Sequence, residues 1–122
     1  MTTKSALVVD DTDLHRSAIR SLLVVFGFNV TTATDGMQAM KLLETAQFDL
    51  IFTDLEMPNM NGKEFLRRAR RHRTASKTPI VMLSTVDSPD VREEALQLGA
   101  NCYVLKPFTS QSINQAMKTV GY

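Results

Sequence analysis

Five short apolar runs recur along the chain, each followed by a stretch with helical periodicity, and this alternation constrains the fold more than any other feature. The first run is ALVV, residues 6–9, bounded and continuous like a strand covered on both faces. Residues 12–26 read as a helix, with Leu14, Ala18 and Leu22 on one face, Ile19, Leu23 and Phe26 on another, and Gly27 as its stop. FNVTTA, residues 28–33, is a weaker strand. Asp35-Gly36 opens a second helix, with Ala39, Leu42, Leu43 and Ala46 at i, i+3, i+4, i+7. FDLIFT, residues 48–53, is the next strand, and DLEMPNMNG, residues 54–62, is a loop carrying Pro58, Asn59, Asn61 and Gly62. A third helix is expected over 63–73, apolar at Phe65, Leu66 and Ala69. PIVML is a fourth strand. Ser88-Pro89 then supplies an N-cap and a first-turn proline for a helix burying Val91, Ala95 and Leu98 and ending at Gly99. CYVL is a fifth strand, and Thr109 caps a last helix with Ile113, Ala116, Met117 and Val120 on one face.

Five β-α units with short connections specify an α/β domain with a parallel sheet and helices on both faces. Right-handed crossovers leave few topologies. A chain of 122 residues fits one such domain, expected to span 1–122. The net charge of +1 gives no global field toward nucleic acid or membrane. The single cysteine, Cys102, rules out an intramolecular disulfide. The N-terminus lacks a signal-peptide apolar region and no run is long enough to span a bilayer, so a cytoplasmic protein without membrane insertion is expected.

In sheets of this kind, ligands sit at the carboxyl ends of the strands, at the point where the strand order reverses. The residues placed there are Asp10 and Asp11 after strand one, Asp54 after strand three, Ser84 and Thr85 after strand four, and Lys106 after strand five. Adjacent carboxylates at the end of a buried strand repel each other and lose hydration, which raises the free energy of their ionised forms. Three of them around one lysine leave an excess of negative charge that a divalent cation resolves. Mg²⁺ is typically held by one or two carboxylates with several waters and a phosphoryl oxygen. The cation makes Asp54 a nucleophile toward phosphorus, giving an aspartyl-phosphate, with Lys106 stabilising the equatorial oxygens. Taken singly, Asp10 or Asp11 reads as a helix cap, Asp54 as a loop acid and Lys106 as a solvated lysine. All of them together, at the correct strand ends, point to a site.

The motifs VVDD (8–11), DLEMPNMNG (54–62), MLS ending at Ser84 and YVLKPF (103–108) resemble those of response-regulator receiver domains, especially the chemotaxis type, CheY. The resemblance spans essentially the whole chain. It implies a flavodoxin-like, doubly wound, five-stranded parallel sheet of order 2-1-3-4-5. It further implies that Asp54 is the phosphoacceptor, that Asp11, Asp54 and the backbone carbonyl of Glu56 bind Mg²⁺ (or Mn²⁺) directly, and that Asp10 acts through water. Ser84 becomes the switch hydroxyl, Lys106 the partner first of Asp54 and then of the phosphoryl group, and Tyr103 the aromatic that moves inward on switching. Lys106-Pro107 matches the family's cis peptide, and helix 4, strand 5 and helix 5 form the output surface. The implied partners are a histidine kinase or phosphotransfer protein upstream and an output protein or effector domain downstream. Glu56 and Thr85 depart from the residues common at their positions in the chemotaxis type, and with Val86 they are expected to crowd the path of a hydrolytic water.

The basic run RRARRHR, residues 67–73, reads as a solvated helix face rather than a nucleic-acid patch, since no recognition module follows it. His15 reads as a surface helix residue, because Mg²⁺ prefers oxygen; His72 has no evident partner, and Cys102 reads as packing. The leading function is a phosphorylation-driven switch that catalyses its own phosphorylation and slow dephosphorylation and does not turn over a separate substrate. The alternatives are a phosphatase with an Asp nucleophile, suggested by the Asp-x-Asp in DDTD; a flavodoxin-like FMN binder, for which DDTD is the wrong phosphate loop; and a receiver that binds its partners without phosphorylation.

Overall fold

A computed structural model describes residues 3–122. The elements alternate as expected: β1 (Lys4–Val9), α1 (Asp13–Val25), β2 (Phe28–Ala33), α2 (Gly36–Thr45), β3 (Leu50–Asp54), α3 (Gly62–Arg71), β4 (Ile80–Ser84), α4 (Pro89–Leu98), β5 (Cys102–Leu105) and α5 (Ser110–Thr119). The strands form one parallel sheet in the order β2-β1-β3-β4-β5.

Successive side chains of a strand point to opposite faces, so each continuous apolar run feeds two cores. Leu7, Ile51 and Ile80 share one cross-strand row and pack on the face covered by α2, α3 and α4. Val8, Phe52 and Val81 form the next row and pack on the opposite face, with Ile19 and Leu23 of α1 and Ile113, Ala116 and Met117 of α5. This double burial is the reason the strands carry no polar alternation. β1 begins two residues before its apolar run, because Lys4 and Ser5 pair with Phe28 and Asn29 at the sheet's edge.

Local chemistry sets most helix starts. Asp35 Oδ1 accepts from the Gln38 amide at 2.8 Å, Asn61 Oδ1 from Glu64 at 3.0 Å, and Ser88 Oγ from Val91 at 3.4 Å, while Thr109 and Ser112 form a reciprocal capping box. Gly62 is required sterically: a Cβ there would stand 2.4 Å from the Asp54 carbonyl oxygen. The loop 54–62 therefore folds back onto the end of β3 and can close only on a glycine.

Three expectations change. At α1, Leu14 is 74 % exposed and Phe26 42 % exposed, so the buried stripe narrows to Ile19 and Leu23, with Leu22 half-buried. Helix α3 stops at Arg71, because His72 turns to extended backbone (φ −86°, ψ 132°). Third, the basic run is not uniformly solvated. Arg67 and Arg68 pair with Glu64 on the exposed face, whereas Arg70 turns inward. Its guanidinium donates to the carbonyls of Ala75 (2.8 Å), Thr78 (2.7 Å) and Gly99 (2.8 Å) and to Asn101 Oδ1 (2.9 Å). One planar, five-donor group thus ties together the loop from α3 to β4 and the loop from α4 to β5.

Arg70→Leu strands these carbonyls, each worth about 1–3 kcal/mol when left unpaired and buried. The expected loss is about 3 kcal/mol in urea unfolding, with Arg70→Lys intermediate because an ammonium cannot span all four acceptors. A change below about 1 kcal/mol in the leucine variant would overturn this role.

Candidate functional site

Each chemically notable side chain stands at the carboxyl edge of the sheet. Asp10 follows β1 and is fully buried; its amide continues the ladder by donating to the Ala33 carbonyl at 3.1 Å. Asp54 is the last residue of β3 and is 3 % exposed, Ser84 is the last of β4 and is buried, and the Lys106 amide donates to the Ser84 carbonyl at 2.8 Å just past β5. Backbone pairing therefore fixes four of the six positions expected at the strand ends. Asp11, on the loop into α1, and Thr85, just past β4, are the exposed members.

Asp10 does two jobs. Its Oδ1 accepts from the Thr12 amide at 2.8 Å, which orders the turn into α1, and its Oδ2 accepts from Lys106 Nζ at 3.0 Å. The helix-cap reading of this residue changes: Thr12 is the N-cap of α1, and Asp10 closes only the turn that precedes it. Lys106 Nζ also lies 3.1 Å from Asp54 Oδ1, but off the hydrogen-bond line, so among the described residues that buried oxygen has no aligned donor. The ammonium thus stands between the two buried carboxylates, donating to Asp10 Oδ2 at 3.0 Å and lying 3.1 Å from Asp54 Oδ1. The Lys106–Pro107 bond is cis.

Burial and the neighbouring Asp10 carboxylate push the Asp54 carboxyl up to about 6, against the opposing pull of Lys106. The buried oxygen without an aligned donor, together with this raised proton affinity, marks a place that lacks positive charge. Oxygens of Asp10, Asp11 and Asp54 lie within 4.8 Å of one another. Ligands on opposite sides of one Mg²⁺ at about 2.1 Å stand about 4.2 Å apart, so the three carboxylates lie close to the span of one ion. The donor set, all carboxylate oxygen, suits a hard divalent cation.

The Ser84 hydroxyl is engaged. It donates to Glu56 Oε1 at 2.7 Å and accepts from the Val86 amide at 2.9 Å. The Val86 carbonyl in turn accepts from the Tyr103 hydroxyl at 2.8 Å. A crevice of about 650 Å³ opens here, walled by Asp11, Glu56, Met57, Pro58 and Val86. Glu56 and Val86 line this crevice, whereas Thr85 is exposed and stands outside its wall.

Sequence reasoning missed His15. It is half-buried, with Nδ1 3.1 Å from Lys106 Nζ and 3.6 Å from Asp10 Oδ2, and its ring meets Phe108 edge-on at 6.0 Å. The available signal was its place in the first turn of α1, since helical side chains lean back toward the N-terminus and hence toward the strand ends.

The model of the response regulator receiver domain matches residues 6–118. The chain belongs to the response regulator receiver domain family. It is 36 % identical to the chemotaxis protein CheY of Pseudomonas aeruginosa, over 93 % of each chain. The structure of Vibrio cholerae CheY4 superimposes with a TM-score of 0.91 at 34 % identity, covering 98 % of this chain and 99 % of that one. The receiver domain of a Pseudomonas aeruginosa sensor histidine kinase has a magnesium ion coordinated in its active site cleft; it is 28 % identical, with a TM-score of 0.86, covering 99 % of this chain and all of that one. Receiver domains bind Mg²⁺ at an acidic site, and this receiver carries such a cluster in Asp10, Asp11 and Asp54. Its class places it in phosphorylation-regulated two-component signalling.

The charge imbalance has a consequence for pH. Asp54 takes up a proton on folding because its folded value of about 6 exceeds its ordinary value of 3.8. In the absence of divalent cation, stability is therefore greatest below about pH 4 with respect to this group and declines as pH rises through about 6, by about 2–3 kcal/mol. Mg²⁺ binding should run the other way, weakening as pH falls below 6. Urea unfolding with EDTA between pH 4 and 7 checks the first trend and calorimetry with Mg²⁺ the second. Asp54→Asn should flatten the unfolding trend.

Proposed function

We propose that this receiver is a Mg²⁺-dependent switch that takes a phosphoryl group from a phosphohistidine onto Asp54 and signals through the surface formed by α4, β5 and α5. The observation that carries the reading is the setting of Asp54: a buried carboxylate with an oxygen free of aligned donors, beside a buried ammonium and two further carboxylates. An oxygen of Asp54 attacks phosphorus, the P–N bond of the phosphohistidine breaks, and the imidazole leaves with its electron pair and takes a proton. Mg²⁺, or Mn²⁺ in its place, would be held by Asp10, Asp11, Asp54 and the backbone carbonyl of Glu56, and would supply neutralisation of charge on the transferring group. Lys106 adds its ammonium to the same group. Ser84 must give up Glu56 to donate to a phosphoryl oxygen, and Tyr103 follows through Val86.

The upstream partner is a histidine kinase or phosphotransfer protein, and the downstream partner binds the groove of about 710 Å³ between α4, β5 and α5, whose wall includes Tyr103, Leu105 and Leu96. The likeness to chemotaxis proteins supports a chemotaxis pathway. Residues 1–122 act as one receiver unit. Its site of action is cytoplasmic and its partners are proteins rather than lipid or nucleic acid; among the described residues no helix is long and apolar enough to cross a membrane. One observation favours a second reading, a receiver that binds its output partner without phosphorylation: the Ser84 hydroxyl already has a carboxylate on it.

Incubation with acetyl phosphate and Mg²⁺ tests the proposal. Wild type should gain one acid-stable, base-labile phosphate, and Asp54→Asn should gain none. Phosphorylation of the Asn variant at the wild-type rate would sink the assignment, whereas binding of an output partner by both forms alike would favour the second reading.

Glu56 and Thr85 should differ in their effect on the lifetime of the phosphorylated form. When Ser84 turns to the phosphoryl group, the Glu56 carboxylate is left on the crevice wall where water must approach. Glu56→Asn should speed phosphoryl loss by about tenfold, equivalent to about 1.4 kcal/mol in the barrier, while Thr85→Ala should change it by less than about twofold. Stopped-flow decay in excess Mg²⁺ reads both; equal effects at the two positions would refute the distinction.

A further inference from the structure

The arrangement around Lys106 points to a role for His15 that the carboxylates alone do not explain. An ammonium has three protons and no lone pair, so any group that hydrogen-bonds to it does so as an acceptor. Lys106 Nζ has three polar neighbours: Asp10 Oδ2 at 3.0 Å, His15 Nδ1 at 3.1 Å and Asp54 Oδ1 at 3.1 Å. Asp10 and His15 are aligned to receive its protons, and Asp54 is not. The ring nitrogen facing Lys106 therefore carries a lone pair, which places the imidazole proton on Nε2. The alternative orientation, with a proton on Nδ1 aimed at Asp10, fails on distance, since 3.6 Å is too long for a hydrogen bond. The ring is also held from its other side by Phe108, two residues past Lys106.

We propose that His15 is a positioning residue for phosphoryl transfer: by accepting one proton of Lys106 while Asp10 accepts a second, it fixes the ammonium beside Asp54 and beside the place a phosphoryl group would occupy. This rests on the reading of Asp54 as the phosphoacceptor. Asp10 takes one proton of Lys106 and His15 a second, which fixes the rotation of the ammonium and leaves its third proton for an incoming phosphoryl oxygen. Once a phosphoryl group is in place, its three oxygens supply better acceptors, and Lys106 can leave His15 for them.

The variants follow from the geometry. His15→Phe keeps a ring against Phe108 and removes the acceptor. His15→Asn restores an acceptor, because Asn Oδ1 and His Nδ1 are both attached to Cγ. At saturating acetyl phosphate and Mg²⁺, the Phe variant should phosphorylate about tenfold more slowly than wild type, with an unchanged half-saturating donor concentration, and the Asn variant should recover at least half of the wild-type rate. A merely structural role would not give this rescue. A second readout uses the unphosphorylated, metal-free protein: ¹⁵N NMR should show His15 protonated on Nε2, and Lys106→Met should move the Nδ1 resonance. The proposal is overturned if the Phe variant phosphorylates at the wild-type rate, if the Asn variant is as slow as the Phe variant, or if Nδ1 carries the proton. Failure of the wild-type protein to take up phosphate would instead refute the phosphoacceptor reading, and the nitrogen spectra would still decide whether His15 accepts from Lys106.

Discussion

Two buried carboxylates share one ammonium at the carboxyl edge of the sheet, and a third carboxylate stands just outside. Buried charge is tolerated when it is paired, and Asp10, Asp54 and Lys106 are paired only in part. The deficit is not an accident of packing. Backbone ladders through Ala33, Leu83 and Ser84 fix where each of these residues emerges, so the sheet imposes their convergence and the acids cannot relax by moving apart. A hard cation is the remaining route to neutrality. The same geometry raises the proton affinity of Asp54, and under the proposed function it keeps a buried oxygen beside positive charge for attack on phosphorus.

Much of this was legible from sequence, for a physical reason. Strands buried on both faces must be continuously apolar, and helices between them must carry one apolar stripe, so the β-α alternation is written in the hydrophobic pattern itself. β2 and β5 begin and end where FNVTTA and CYVL do. Asp35, Ser88 and Thr109 mark helix starts because short polar side chains there reach backbone amides within three residues, and Asn61, read from sequence as a loop residue, caps α3 in the same way. The residues at the strand ends followed from topology.

What stayed hidden depends on which way a long side chain turns. Arg70 sits in a run of arginines whose other members Arg67, Arg68, Arg71 and Arg73 are exposed; nothing local says that it alone finds four acceptors from distant loops. His15 lies on a helix whose first turn is otherwise solvated, and its contact with Lys106 spans 91 residues of sequence. The Glu56–Ser84 bond spans 28. Such contacts are set by tertiary packing and leave no periodic trace. The exposed ends of α1 are the converse case: Leu14 and Phe26 fit the helical period but extend past the sheet edge that would bury them.

The connection from the site to the α4-β5-α5 groove is also a matter of side-chain bonding. Glu56, Ser84, Val86 and Tyr103 form one continuous path, with bonds of 2.7, 2.9 and 2.8 Å joined across the Val86 peptide. Its first member is a carboxylate on the crevice wall and its last an aromatic on the groove wall. The Ser84 hydroxyl has a single proton, so it can serve Glu56 or a phosphoryl oxygen, but not both. That exclusivity makes the element two-state, which is the physical requirement for coupling between distant sites. A ligand that binds the two states differently by about 1.4 kcal/mol shifts their ratio tenfold, and a single charge-assisted hydrogen bond is of that size. Under the proposed function, the choice of acceptor for one proton is of the size that would shift Tyr103, which lines the groove.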